Sequence, residues 1–305
     1  MVHQARFKAM GTTIEVSLYS LDPAQAQAAL SLAPGLFEEL EQEFSRFRPD
    51  SGLCRLNAGA GQGAQKVSPL LAEVCALALA FAEESAGLFD PTVLRALEDA
   101  GYDTSFQEVA LRADPGPPRR ALEARPRWRE VKIEGDSILL PGDTSLDLGG
   151  IAKGWAADYV AERLRPYGPA MVNAGGDVRA TGRLNDEELW GIALADPHYP
   201  TATCLPSSSR TAAITTSGVG DVPLVDGQRM HHSIDPRTQR PFQSDAHTVT
   251  VLGASAAECE VASKVALLLG IHEGASYLTH LGLEGILTAY DGRSISVGDR
   301  FELEG

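Results

Sequence analysis

Basic residues are in short supply in this sequence. Lysine and arginine number 26 against 41 aspartates and glutamates, a formal charge of -15 over 305 residues. A chain of that sign is repelled by nucleic acid and by anionic membrane surfaces, which argues against both as partners. A phosphate-bearing ligand would need local backbone donors, a few placed cations or a metal, because the bulk field opposes it. Cysteine is sparse as well: Cys54, Cys75, Cys204 and Cys259 form no C-x-x-C pair and lack zinc-ligand spacing. Cys75 and Cys259 fall in apolar helical stretches and read as buried small hydrophobes. No apolar run is long enough to span a bilayer. The opening stretch "MVHQARFKAMGTTIEVSLYS" has no apolar signal core, cleavage site or lipid-accepting cysteine. These absences point to a soluble, cytoplasmic protein. The phosphate loop G-x-x-x-x-G-K-[ST] and the dinucleotide fingerprint G-x-G-x-x-G are missing too, as is any internal repeat.

What is present is an ordinary globular composition, 44% hydrophobic and 22% charged, enough for one large domain or two smaller ones. Thr12 to Tyr19 alternates and is rich in β-formers, which predicts a strand. Asp22-Pro23 predicts a helix cap, and Pro34 should kink or divide the helix that follows. Ser68-Pro69 opens another helix that should end before Gly87. Residues 104–130 are rich in proline and arginine and read as an irregular surface excursion. A strand ending at Asp147, a tight loop and a helix opening at Lys153-Gly154 are expected next. Further strands are expected near 170–173, 177–182, 189–195, 211–216, 228–234 and 246–252. Ser255 and Glu258 suggest a capping box for a helix ending at Gly270, and a short helix and two strands (near 284–297) close the chain. The mixture lacks a strict βαβ rhythm, so the expected fold class is mixed α/β (α+β) in a single domain.

Six segments could carry chemistry. "LDLGGIAKGWAADYV" sets Asp147, Gly149-Gly150 and Lys153 at a helix start, where backbone amides and the helix dipole favour an anion. "VNAGGDVRATG" places Gly175-Gly176 between two strands, read by itself as a hairpin turn needing positive φ. Asp90 in "GLFDPTV" could simply cap a helix. "ITTSG", with Thr216, ends a β-run in hydroxyls that could bind phosphate or form a turn. In "HHSIDPRTQRP" the adjacent His231 and His232 would point to opposite faces of a strand, so only one can face a site. Asp235 stands three residues beyond His232, with Arg237 nearby; a carboxylate can orient an imidazole, and an arginine can hold phosphate. Finally, Glu260 and Lys264 are four apart on a predicted helix, either a surface ion pair or a cation site aimed at an anion.

Together with "AMGTTIEV" and "SRFRPDSGLCRLNA", these segments in this order resemble the ApbE family of FAD:protein FMN transferases. The resemblance implies a mixed α/β, T-fold-like domain covering 1–305, with FAD in a cleft between two lobes. It implies a reaction in which FAD is cleaved at its pyrophosphate, FMN passes to a threonine or serine of an acceptor protein, and AMP leaves. By motif match, Met10, Asp90, Asp147, Lys153, Gly175, Gly176, Thr216 and His232 would contact the flavin nucleotide. The Gly150 carbonyl would contribute to a magnesium site. His232, with Asp235, would be catalytic, activating the acceptor hydroxyl as a general base.

The resemblance also exposes a departure. The family places aspartate and threonine on magnesium where this chain has Glu260 and Lys264. Glutamate keeps a hard oxygen but sets it one methylene further out, and a protonated lysine cannot ligate a metal. Three outcomes are open: a metal shifted toward Glu260 and Gly150, an ammonium of Lys264 standing in for the metal, or a protein that binds FAD without transferring it. A smaller departure is Gln239, where the family commonly has glycine, which bears only on the shape of that turn.

Overall fold

The computed structural model describes residues 1–104, 127–184, 190–193, 203–204, 211–218, 224–225, 228–229, 233–299 and 301–302. The chain forms two compact units: Met1–Glu39, Ile151–Val219 and Ser244–Gly305 make the first, and Leu40–Gly150 with Gly220–Gln243 the second. Among the described residues the helices are α1 (Pro23–Leu30), α2 (Ala33–Phe44), α3 (Gly52–Ala58), α4 (Pro69–Glu84), α5 (Leu94–Asp99), α6 (Ala152–Leu164), α7 (Ala256–Leu269) and α8 (Ile271–Leu281). The mixed α/β class expected from the sequence is what the structure has.

The first unit is built on an eight-stranded sheet. Its strands are β1 (Val2–Ala9), β2 (Thr12–Tyr19), β3 (Ala170–Ala174), β4 (Asp177–Thr181), β5 (Thr211–Gly218), β6 (Ala246–Gly253), β7 (Glu284–Ala289) and β8 (Ser294–Val297). Their order in space is their order in the chain, and every neighbouring pair is antiparallel. The second unit is carried by two long excursions from this meander, one between β2 and β3 and one between β5 and β6. In β2 the alternation puts Ile14, Val16 and Leu18 in the core. Helix α6 packs on β3 and β4, α7 on β5 and β6, and α8 on β7 and β8. On the other face Val178, Ile214, Leu252 and Ile286 form an apolar cluster with Met171 and Ile192.

One polar joint sets α6 against α7. The buried N-terminus of α7 leaves backbone N–H groups without helical partners. Asp158 of α6 accepts from Ala256 N at 2.9 Å, Ala257 N at 3.0 Å and Ser255 Oγ at 2.8 Å. Ser255 Oγ in turn accepts from Glu258 N at 3.3 Å, the cap read from the sequence. A Cβ on Gly154 would lie 2.6 Å from the Ala256 carbonyl carbon and 2.8 Å from Ala257 N. Glycine to alanine within a helix normally gains about 1 kcal/mol. Here the obstacle is backbone, so overpacking of about 1–3 kcal/mol or more dominates. Gly154→Ala is expected to lower the urea midpoint at unchanged m-value; a raised midpoint would contradict this packing.

In the second unit the short strand Ser137–Leu139 lies between Ala64–Lys66 and Lys132–Glu134. Asp22, Ser68 and Ser255 all cap helices as expected, and the chain breaks between α1 and α2 just before Pro34. Several expectations need correction. No strand ends at Asp147: the Asn57 side chain pairs with both backbone groups of Leu146, and Asp147 N donates to Pro91 O at 2.8 Å, replacing a ladder. Asp90 is not a helix cap, because α5 starts at Leu94 after Val93. Within 104–130, residues 105–126 lie outside the described residues, but the excursion ends in a 3-10 turn with Trp128 buried, not at the surface. Its indole lies over Gly87, with Nε1 3.0 Å from where a Cβ would be, so aromatic burial anchors that end. Of the strand expected at 228–234, Gln228–Arg229 and Ile234–Asp235 are short separate strands, and residues 230–232 lie outside the described residues. Of that expected at 189–195, Ile192–Ala193 is seen.

Candidate active site

At one end of the sheet in the first unit, side chains from three elements converge on a buried carboxylate. Glu260 is fully buried on α7. Its Oε1 accepts from Lys153 Nζ at 2.8 Å and from Lys264 Nζ at 2.9 Å. Its Oε2 accepts from the backbone N–H of Gly154 at 2.8 Å. Lys153, in the first turn of α6, also donates to Oδ2 of Asp177, the first residue of β4. Both carboxylates are buried, while the side chains of Lys153 and Lys264 keep 29% and 26% exposure. The acids therefore lie beneath, and the lysine side chains are the partly exposed members of the cluster. This corrects the surface ion-pair reading of Glu260 and Lys264.

Burial alone would raise the Glu260 carboxyl, but Lys153 and Lys264 outweigh it and hold its pKa well below the usual range. Asp177 goes the other way: burial and the neighbouring Glu260 charge raise it more than Lys153 lowers it. Burial pulls Lys153 down, yet Asp177 and Glu260 overcome that and keep it firmly protonated.

Two turns sit beside this cluster. Met10 and Gly11 join β1 to β2 with φ of 50° and 70°. Gly175 and Gly176 join β3 to β4 with φ of 69° and 103°, the positive values expected of a hairpin turn. A Cβ on Gly175 would stand 2.9 Å from Thr12 Cγ2, so the two turns touch. A left-handed Met10 is uncommon for a non-glycine residue and marks the turn as a place where strain has been kept. At the end of β5, Thr215 and Ser217 bond Ser263 of α7 at 3.4 and 2.7 Å. Thr216, on the opposite face, pairs with Thr250 at 2.9 Å. Thr216 thus shares the sheet end with Lys153 but not the face.

The second unit holds its own acidic group. Asp90 is buried, and its Oδ1 accepts from Thr92 N and Oγ1 at 2.7 and 2.6 Å. Its Oδ2 is buried without a hydrogen-bond partner among the described residues. Burial raises its pKa against the opposing Thr92 bonds. Asp147 follows through its bond to Pro91 O; its Oδ1 meets Arg46 Nε at 3.2 Å and its Oδ2 accepts from Gly149 N at 3.1 Å, in the turn that continues to Gly150. Ile234 packs with Ala96, Leu97 and Tyr102, which seats the turn that follows it. There Asp235 accepts from Arg237 N, Nε and Nη2 at 2.9, 3.0 and 2.9 Å.

A family model described as ApbE family matches residues 10–287. The chain belongs to the ApbE family. A relative from Treponema pallidum, an FAD:protein FMN transferase, is 30% identical over 290 residues, covering 88% of this chain and 79% of that protein. Another from Rhodobacter capsulatus is 29% identical and covers 95% of this chain, which spans 55% of that longer protein. The crystal structure of the Pseudomonas stutzeri flavinyl transferase ApbE superposes with a TM-score of 0.82 at 24% identity, over 97% of this chain and 95% of that one, a likeness of fold.

Set against the ApbE motifs, the structure brings Met10, Lys153, Gly175, Gly176, Glu260 and Lys264 to one sheet end of the first unit. Asp90, Asp147, Gly150 and Asp235 belong to the second. His232 lies outside the described residues. The Asp235 carboxylate, expected to orient that histidine, is engaged by Arg237 through its backbone and guanidinium. Gln239 takes φ of 56°, the conformation a glycine would adopt more cheaply at that position. Asp177 and the Gly154 amide were not among the expected site residues. An aspartate after a glycine turn has no local mark tying it to Lys153.

The magnesium that the ApbE resemblance implies does not fit these residues. A magnesium ion wants near-octahedral oxygen ligands at about 2.0–2.1 Å. Here Glu260 Oε1 is taken by two ammonium groups and Oε2 by an amide, and the nearest further carboxylate, Asp177, is held by Lys153. Among the described residues no cluster of three or more His, Cys, Asp or Glu side chains could hold a metal.

Proposed function

We propose that this protein transfers FMN from FAD to a hydroxyl of an acceptor protein. The observation that carries the reading is the buried Glu260 gripped by Lys153 and Lys264, beside two touching positive-φ turns. Such an arrangement suits a compact polyanion, since two ammonium groups stand together on partly exposed side chains and glycine turns let a ligand come close to the backbone. The names of the relatives make the pyrophosphate of FAD the natural occupant.

In this reading Met10, Gly175, Gly176 and Lys153 contact FAD, as do Asp90 and Asp147. Thr216 would do so from the other face of the sheet. An acceptor threonine or serine oxygen attacks the phosphorus of the FMN half. The bond from that phosphorus to the bridging oxygen breaks, AMP leaves with the bridging oxygen, and the hydroxyl proton passes to His232. The positive charges of Lys153 and Lys264 offset the repulsion between the pyrophosphate and the attacking oxygen. The partner is an acceptor protein modified in trans. The reaction would run in the cytoplasm. Among the described residues no helix is long and apolar enough to cross a membrane.

The test is incubation of the purified protein with FAD and an acceptor carrying a threonine flavinylation motif of the family. AMP release with an acceptor mass gain of one FMN is expected. Tight FAD binding with no AMP released, with or without magnesium, would overturn transfer and leave an FAD-binding protein of the same fold.

A further inference from the structure

We propose that the ammonium groups of Lys153 and Lys264, and no divalent ion, neutralise the pyrophosphate of FAD, so that binding and transfer proceed without magnesium. This rests on the transferase reading for its ligand, but its argument is local. Lys264 is four residues from Glu260 on α7, a spacing that on an exposed helix makes a weak, mobile pair. Here the carboxylate is fully buried and fixed from its far side by the Gly154 amide, so the ammonium is held in place. Lys153 is fixed in the same way by the same oxygen and by Asp177.

A divalent ion at Glu260 would have to displace both ammonium groups or lie against them. Displacing them strips each of its buried counter-charge; lying against them brings like charges together in a site partly shielded from water. The cluster sums to no net charge, with Lys153 and Lys264 against Asp177 and Glu260. Its members nonetheless differ in depth, the carboxylates buried and the lysine side chains partly exposed. An anion arriving from solvent therefore meets the lysine side chains before the carboxylates. Among the described residues Lys264 spends one of its three donors on Glu260, which leaves the others for a ligand. Lysine in place of a metal gives charge and hydrogen bonds without Lewis-acid geometry.

The test measures binding and chemistry separately. FAD affinity is measured by fluorescence in excess EDTA and in excess magnesium, with manganese as a paramagnetic probe of metal binding to the protein with and without FAD. Wild type should bind no manganese at this site, and its FAD affinity and AMP release should differ by less than about twofold between EDTA and magnesium. Lys264→Met should weaken FAD binding in EDTA by about tenfold or more, the loss of a charge-assisted bond, while Lys264→Arg should retain most of the affinity. The pair Glu260→Asp with Lys264→Thr should gain manganese binding. Saturable manganese binding by wild type, together with loss of FAD affinity in EDTA, would overturn the proposal; so would a folded Lys264→Met with unchanged FAD affinity. If FAD binds independently of metal and dependently on Lys264 but no AMP appears, the transferase reading fails and the cation assignment stands. If wild type fails to bind FAD under every condition, both fall.

Discussion

Glu260→Gln is expected to cost about 3–5 kcal/mol of unfolding free energy at neutral pH, the cost of removing one partner from a buried ion pair. The substitution keeps the shape of the side chain, so no cavity contributes. What changes is that Lys153 and Lys264 lose the charge that holds them, and the amide nitrogen of glutamine must face either an ammonium group or the Gly154 N–H. A buried donor left unsatisfied adds about 1–3 kcal/mol to the same account. The pH dependence carries the sign of a depressed carboxylate. The Glu260 contribution is fully present above the unfolded glutamate range, about pH 4.3, and is lost as pH falls below it toward the lowered folded value. The Glu260 part of the gap should therefore hold from neutral pH to about pH 5 and close on further acidification, while the earlier protonation of Asp177 in wild type widens the gap as pH first falls from neutral. Asp177 should titrate lower in the variant, because the Glu260 charge is one of the causes that raise it. Urea unfolding of both proteins across that range reads the effect. A variant within about 1 kcal/mol of wild type at neutral pH would mean that the cluster is solvated and not a fixed device.

His232→Ala is expected to slow flavin transfer by about 10²–10⁴, the usual worth of a positioned general base, with a much smaller loss of FAD affinity. A serine or threonine hydroxyl is a weak nucleophile until its proton is taken, and histidine titrates in the range where that transfer is effective. The neighbouring Asp235 is held by Arg237 within its own turn. Asp235→Asn should therefore act by loosening that turn, with a smaller loss of rate than His232→Ala and some loss of stability. Single-turnover AMP release, with FAD affinity measured in parallel, separates the roles. A loss of FAD affinity as large as the loss of rate in His232→Ala would make the residue a ligand contact alone. A transfer rate within about tenfold of wild type would remove it from the chemistry.

Local signals in this chain were reliable. The alternation of Thr12 to Tyr19, the caps at Asp22, Ser68 and Ser255, the break before Pro34 and the positive-φ turn at Gly175-Gly176 all depend on residues a few positions apart. The strand expected up to Asp147 failed for the converse reason. Its apolar alternation is real, since Leu146 and Leu148 are buried, but burial does not require a ladder when Asn57 and Pro91 supply the backbone partners. The end of the 104–130 excursion was misjudged because proline and arginine mark irregular backbone and say nothing of where one tryptophan finds its cover.

By itself the sequence determined the family, the mixed α/β class and the residues that carry the motifs, down to the substitution of Glu260 and Lys264 at the expected metal positions. Periodicity, capping and motif order are properties of neighbours along the chain. Only the tertiary structure decided what that substitution means. The i,i+4 pair is the same string of letters on a wet helix and in a buried joint. It is a fixed buried cluster because α6 brings Lys153 and the Gly154 amide from 107 and 106 residues away onto one carboxylate, and because β4 adds Asp177 beside them. Burial turns a weak surface pair into a fixed arrangement of charge, and burial follows from which elements pack together across the sheet.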